Sequence, residues 1–118
     1  MTKTQALYNF FNGFGVPAYP TNSVPECVSY PWITYEPAIG NAGDSDLYIT
    51  VGLWYRTTSE SVPNAKVEEI AEAIGRGGTI ISYDGGAIWI KRGSPWCNSV
   101  AEEDNVKHKS LNVTLTYI

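Results

Sequence analysis

The sequence predicts an α+β fold: a mostly antiparallel sheet of about five strands with two helices packed on one face, in the order α-β-β-α-β-β-β. Three observations predict it. Two segments place apolar residues at i, i+3, i+4 and i+7, the spacing of a helix face. Several others alternate at the two-residue period of strands. An Asp-Gly-Gly turn joins two β-rich runs as a hairpin. At 118 residues the chain has the length of one domain, and 1–118 reads as a single domain.

Leu7, Phe10, Phe11 and Phe14 form the stripe of the first helix, which Asn12-Gly13 and Gly15 should stop. From Val16 to Pro31 four prolines (Pro17, Pro20, Pro25 and Pro31) predict an extended, irregular connector lying along the domain body. Trp32–Ile39 opens on good sheet formers and predicts a strand, with a turn over Gly40–Asp44. Asp46–Arg56 is the clearest strand. Leu47, Ile49, Val51, Leu53 and Tyr55 point to the core, and Tyr48, Thr50, Gly52, Trp54 and Arg56 point away.

The second helix is expected from Pro63 to Ile74, with Val67, Ile70, Ala71 and Ile74 inward and Gly75 as its stop. Thr79–Tyr83 and Ala87–Arg92 flank Asp84-Gly85-Gly86. Pairing across that turn sets Ile81, Tyr83, Ile88 and Ile90 on one face, with Ile80 and Trp89 on the other. Gly93–Ser110 breaks the alternation and reads as a long loop. Leu111–Ile118 closes the fold as a strand with Leu111, Val113, Leu115 and Tyr117 inward.

Composition excludes several functional classes. Apolar residues are 43% and charged residues 17%, which excludes a disordered, charge-rich chain. A net charge of −4 with eight scattered Lys and Arg supplies no basic patch for sequence-specific nucleic-acid binding. No apolar run is long enough for a membrane helix, and Met1–Phe14 has no signal-peptide pattern, so it reads as part of the mature protein. Cys27 and Cys97 read as two free, partly buried thiols of a reducing cytoplasm rather than a disulfide framework. Eight Tyr and four Trp exceed the needs of one small core and point to a covered surface.

No catalytic constellation emerges. Gly75-Arg76-Gly77-Gly78 follows a helix, whereas a phosphate loop precedes one. His108 is the only histidine and reads as a solvated loop residue with no nucleophile elbow beside it. One His and two distant Cys do not fill a tetrahedral zinc site, and the acidic runs lack the calcium-loop pattern. Glu36 and Asp84 could be imagined as glycosidase carboxylates, but nothing sets them face to face. Asn112-Val113-Thr114 is a glycosylation sequon inside a strand and reads as chance. The expectation is a protein that is not an enzyme and has no cofactor or metal.

Several blocks carry a family resemblance: Gly15–Tyr19, Thr21–Pro25, Tyr30–Tyr35, Leu53–Ser59, Ile74–Gly78 and Tyr83–Pro95. In this order they resemble the small phage and prophage proteins described as minor capsid or tail terminator proteins. The resemblance spans about Leu7 to Tyr117. After Ser94-Pro95 the family pattern continues with Phe, a small residue and Gln, where this chain has Trp96, Cys97 and Asn98. A Trp often follows the Ser of the Leu-Trp-Tyr-Arg block, and Glu60 stands there instead. The resemblance implies a structural virion protein, made in the bacterial host cytoplasm. It would form a ring, usually hexameric, on the head-proximal end of the tail tube and join it to the neck.

Under that reading the partners are other copies of the chain, the tail tube protein and a neck or head-completion protein. The candidate interface residues are Trp54, Arg56, Trp89, Pro95 and Trp96, with Glu102, Glu103 and Asp104 offered to a basic partner. Trp96, in the long loop, is the expected anchor. The alternatives are another neck component, such as a head-completion or adaptor protein, or a distal-tail protein. A carbohydrate-binding module would also use the aromatics, and a small enzyme would require a pocket of perturbed groups.

Overall fold

The computed structural model describes residues 1–103 and 105–118. It holds two helices, α1 (Lys3–Phe11) and α2 (Ser61–Ile74), and six strands: β1 (Ala18–Pro20), β2 (Trp32–Tyr35), β3 (Leu47–Arg56), β4 (Thr79–Tyr83), β5 (Gly86–Val100) and β6 (Val106–Tyr117). The strands make one mixed sheet in the order β1-β2-β3-β6-β5-β4. Every neighbouring pair is antiparallel except β1 with β2. The expected α+β class holds, with one strand more than the expected five.

α1 starts where its sequence caps it. Thr2 Oγ1 accepts the Gln5 amide at 3.1 Å, and Gln5 Oε1 accepts the Thr2 amide at 2.8 Å, so two orphan donors of the first turn are satisfied. The helix ends at Phe11, before the expected end of its stripe, and Phe14 reaches the core from a following 3₁₀ turn, Asn12–Phe14. The Asn12 side chain then fixes the next segment: its Oδ1 accepts the Ala18 amide at 3.0 Å and its Nδ2 donates to the Ala18 carbonyl at 3.2 Å. This tie lays Ala18–Pro20 beside β2 as a strand, a correction to the irregular connector. Three residues, the last of them Pro20, carry no alternation to read. β2 is also shorter than expected and stops at Tyr35.

β3 runs through the middle of the sheet, and Ile49, Val51, Leu53 and Tyr55 are buried as the alternation requires. α2 begins two residues before Pro63 and ends at Ile74, where Gly75 takes a φ of 77° and a ψ of 171°, an extended positive-φ conformation that glycine alone adopts readily and that stops the helix. In the β4–β5 hairpin Tyr83 faces Gly86 and Ile81 faces Ile88, so the turn is one residue shorter than expected and Gly86 belongs to β5, while Ile81, Tyr83, Ile88 and Ile90 share one face as the sequence predicts.

The long loop expected over Gly93–Ser110 is the main correction. β5 continues to Val100 and β6 starts at Val106, so only a short tip separates them. The alternation is lost because the register slips between Arg92 and Cys97: Arg92 faces Val113, yet Cys97 faces Leu111. The surplus residues on β5 bulge out, which moves later side chains to the other face. Beyond the bulge the charged run Lys107–Lys109 stays in the ladder because β3 pairs with it on its other edge.

The core lies between the two helices and one sheet face. Leu7, Phe11, Ile70 and Ile74 from the helices meet Ile33, Tyr35, Leu53, Ile88, Ile90, Leu111 and Leu115 from the sheet. Among the described residues no helix lies on the opposite sheet face.

Candidate interface

On that open face the register brings rings together. Trp32 faces Trp54 across β2 and β3, and Trp54 faces His108 across β3 and β6. Trp32 and Trp54 stack with centroids 5.4 Å apart, and Trp54 and His108 stack at 3.7 Å with planes 15° apart. Trp54 Nε1 donates to Thr34 Oγ1 at 3.2 Å, so its polar end is satisfied inside the ladder. Gly52 lies beneath it. A Cβ there would sit 2.6 Å from Thr34 Oγ1 and 2.9 Å from Trp54 Nε1, so the glycine makes room for the rings. Arg56 is exposed on the same face, its guanidinium 4.8 Å from the Tyr30 ring centre.

His108 is therefore not a solvated loop residue. Its side chain is 15% exposed, and Nδ1 lies 3.1 Å from Glu102 Oε1. The signal that could have found it is the alternation of β6 continued upstream of Leu111, which puts Val106, His108 and Ser110 on the open face. The charges at Lys107 and Lys109 concealed it.

Trp89 stands apart from the ladder, at the other end of the sheet. Its Nε1 donates to the Gly77 carbonyl at 2.8 Å and Lys91 lies 4.3 Å from its ring, so it clamps the turn before β4. Pro95 is exposed in the bulge, and its carbonyl accepts Asn112 Nδ2 at 2.7 Å. Trp96 is not a loop anchor. The bulge turns it against the hydrophobic core, and its Nε1–H is buried with no partner among the described residues. The most exposed apolar side chains of the strands are Tyr48, at 80%, and Ile80, at 61%; the alternation points both outward, but neither is among the expected interface residues. Beside Tyr48 a groove of about 380 Å³ runs between Thr50, Asn112, Thr114 and the Ser94–Pro95 bulge.

Glu102 and Glu103 are exposed at the β5–β6 tip, while Asp104 lies outside the described residues. Below the tip Lys109 is 3% exposed and would be an uncompensated charge without partners. It has two: Glu60, which precedes α2, and Ser99 Oγ at 2.8 Å. The Lys109 ammonium holds the Glu60 carboxyl below its usual range. Asp46 is also lowered, by the Thr116 hydroxyl at 2.6 Å and then by Lys91 at 3.2 Å. Carboxyls lowered in the folded state take up protons first in the unfolded chain. Stability is thus expected to be complete above the unfolded carboxylate range, about pH 4, and to fall as pH drops through it. Thermal melts from pH 7 to pH 3 should show that fall, and Asp46→Asn should flatten it.

The sites weighed for chemistry stay separate. Glu36 accepts the Thr50 amide at 2.7 Å, and Asp84 accepts the N-terminal ammonium at 2.5 Å. Gly75–Gly78 is a helix stop and turn. Cys27 is exposed, a correction to the partly buried thiol expected there, and burial raises the pKa of the partly covered Cys97 thiol. No group of three His, Cys, Asp or Glu that could hold a metal occurs among the described residues. No protein-family model, curated protein or solved structure matches this chain.

Proposed function

We propose that the chain is a structural subunit of a tailed-phage virion, a tail terminator that closes the head-proximal end of the tail tube as a ring and joins it to the neck. The observation that carries this reading is the one-sided sheet. Both helices cover one face, and the other presents Tyr48 and Ile80 beside the half-buried Trp54 and Trp89, among Thr, Ser and Asn with few charges. Aromatic, charge-poor surfaces of this kind suit contacts between protein subunits. The sequence blocks that resemble tail terminators add to it. Neighbouring copies would meet the open face head to tail, the arrangement that closes into rings. The acidic tip at Glu102 and Glu103 would meet a basic surface of the tube or neck.

Purified protein added to polymerising tail tube is expected to stop growth, with a ring at one end of each tube in negative stain. Tyr48→Glu puts a charge on the open face at an exposed position. It should leave the melting temperature unchanged, since such surface substitutions stay within about 0.5 kcal/mol, and it should abolish capping. Capping by Tyr48→Glu at the wild-type level removes the open face from the interface. Tubes that keep growing with the wild-type protein overturn the terminator reading, and binding to portal instead of tube reassigns it to head completion.

A further inference from the structure

We infer that the outer edge of β4 is a self-pairing surface, through which two copies of this chain join β4 to β4, antiparallel, across a twofold axis. The hairpin register sets which groups face outward. Tyr83 with Gly86, Ile81 with Ile88 and Thr79 with Ile90 flank the two-residue turn and exchange their hydrogen bonds inward. The amides and carbonyls of Ile80 and Ser82 therefore point away from β5, and neither residue has a partner among the described residues. The next outward amide, Asp84, donates to the Met1 carbonyl at 2.8 Å, so the chain covers one end of this edge and leaves the rest open.

Open edges are ordinarily blunted by proline, charge or brevity. β1, the opposite edge, has that protection: three residues ending at Pro20. β4 has none, since Thr-Ile-Ile-Ser-Tyr is neutral and β-prone, and Ile80 is 61% exposed. With one edge blocked, a head-to-tail continuation of the sheet has no acceptor strand, whereas an edge can always meet its own copy about a twofold axis. The β4 sequence fits itself. Centred on Ile81, the pairing sets Ile80 opposite the partner's Ser82 and exchanges all of their outward amides and carbonyls. Ile81 then meets the partner's Ile81 on the core side. The ends do not clash in charge, because Asp84, whose carboxylate holds its own N-terminal ammonium, falls opposite the partner's Gly78, two residues from the partner's exposed Arg76.

This inference does not rest on the phage reading. A twofold pair and a head-to-tail ring differ in symmetry, and the test contains no tube. Sedimentation equilibrium of the full chain should give twice the 13.0 kDa chain mass, dissociating on dilution. Ser82→Pro deletes one outward amide and leaves the β5 ladder intact, as edge positions allow. It should melt like the wild type and sediment as a monomer. If Ser82→Pro does not fold, Ile80→Lys serves, with an expected tenfold or greater weakening of the dimer. Wild-type protein that stays monomeric up to about 1 mM overturns the inference. So does a folded Ser82→Pro, or an Ile80→Lys, that dimerises as the wild type does.

Discussion

Phe11→Ala is expected to cost about 3–5 kcal/mol, the usual range for deleting a buried aromatic. Phe11 is fully buried at the end of α1, stacked on Tyr35 at 4.7 Å and edge-on to Phe10 at 5.1 Å. It joins the first helix to β2, and truncation leaves a cavity that neither element can fill alone. Domains hold only about 5–15 kcal/mol in total, so the loss takes a large share of stability. In urea the midpoint should fall while the slope is unchanged. Tyr8→Ala, on the exposed side of the same helix, should shift the midpoint by no more than about 0.5 kcal/mol. Equal effects at the two positions would mean that α1 does not dock on the sheet in this orientation.

The second large effect is expected at Gly52, on the opposite face. Gly52→Ala drives a methyl group into Thr34 Oγ1, Trp54 Nε1 and, at 3.2 Å, His108 Nε2. The backbone on both sides is held in β2, β3 and β6, so the rings must move instead. Overpacking of this kind costs about 1–3 kcal/mol. It should also break the Trp54–Thr34 bond and unstack the ladder, which near-ultraviolet circular dichroism of the tryptophans reads directly. Gly13→Ala is the matched control, because a Cβ there meets nothing within 4 Å. A Gly52→Ala protein with wild-type tryptophan bands would show that the rings are not packed over this glycine.

Much of the fold was legible because periodicity carries it. The alternation of Leu47–Tyr55 and of Leu111–Tyr117, the stripe Val67–Ile74 and the Asp84-Gly85-Gly86 hairpin signal are each carried within a few residues of chain. β1 was not legible, since three residues ending on a proline hold no period and the strand exists through Asn12. The far halves of β5 and β6 were hidden by the bulge and by Lys107 and Lys109. Lys109 is buried because Glu60 meets it, and Glu60 lies 49 positions away in sequence.

The candidate interface divided in the same way. Trp54 and Trp89 were placed on the open face by counting in twos, and they are there. Whether an open-face ring is free or already engaged is a different question, and it depends on neighbours from other strands. Trp54 proved to be stacked between Trp32 and His108, Trp89 tied to Gly77, and Trp96 turned inward by the bulge.

By itself, then, the sequence determined the α+β class, the two helices, the identity of the core and the faces of the regular strands. These follow from local spacing, which a chain carries along its own length. Only the tertiary structure decided the six-strand order, the bulge, the buried Lys109 and which side chains remain displayed, Tyr48 and Ile80 foremost. Those depend on the register between distant strands, where a slip of one residue exchanges the two faces of a sheet.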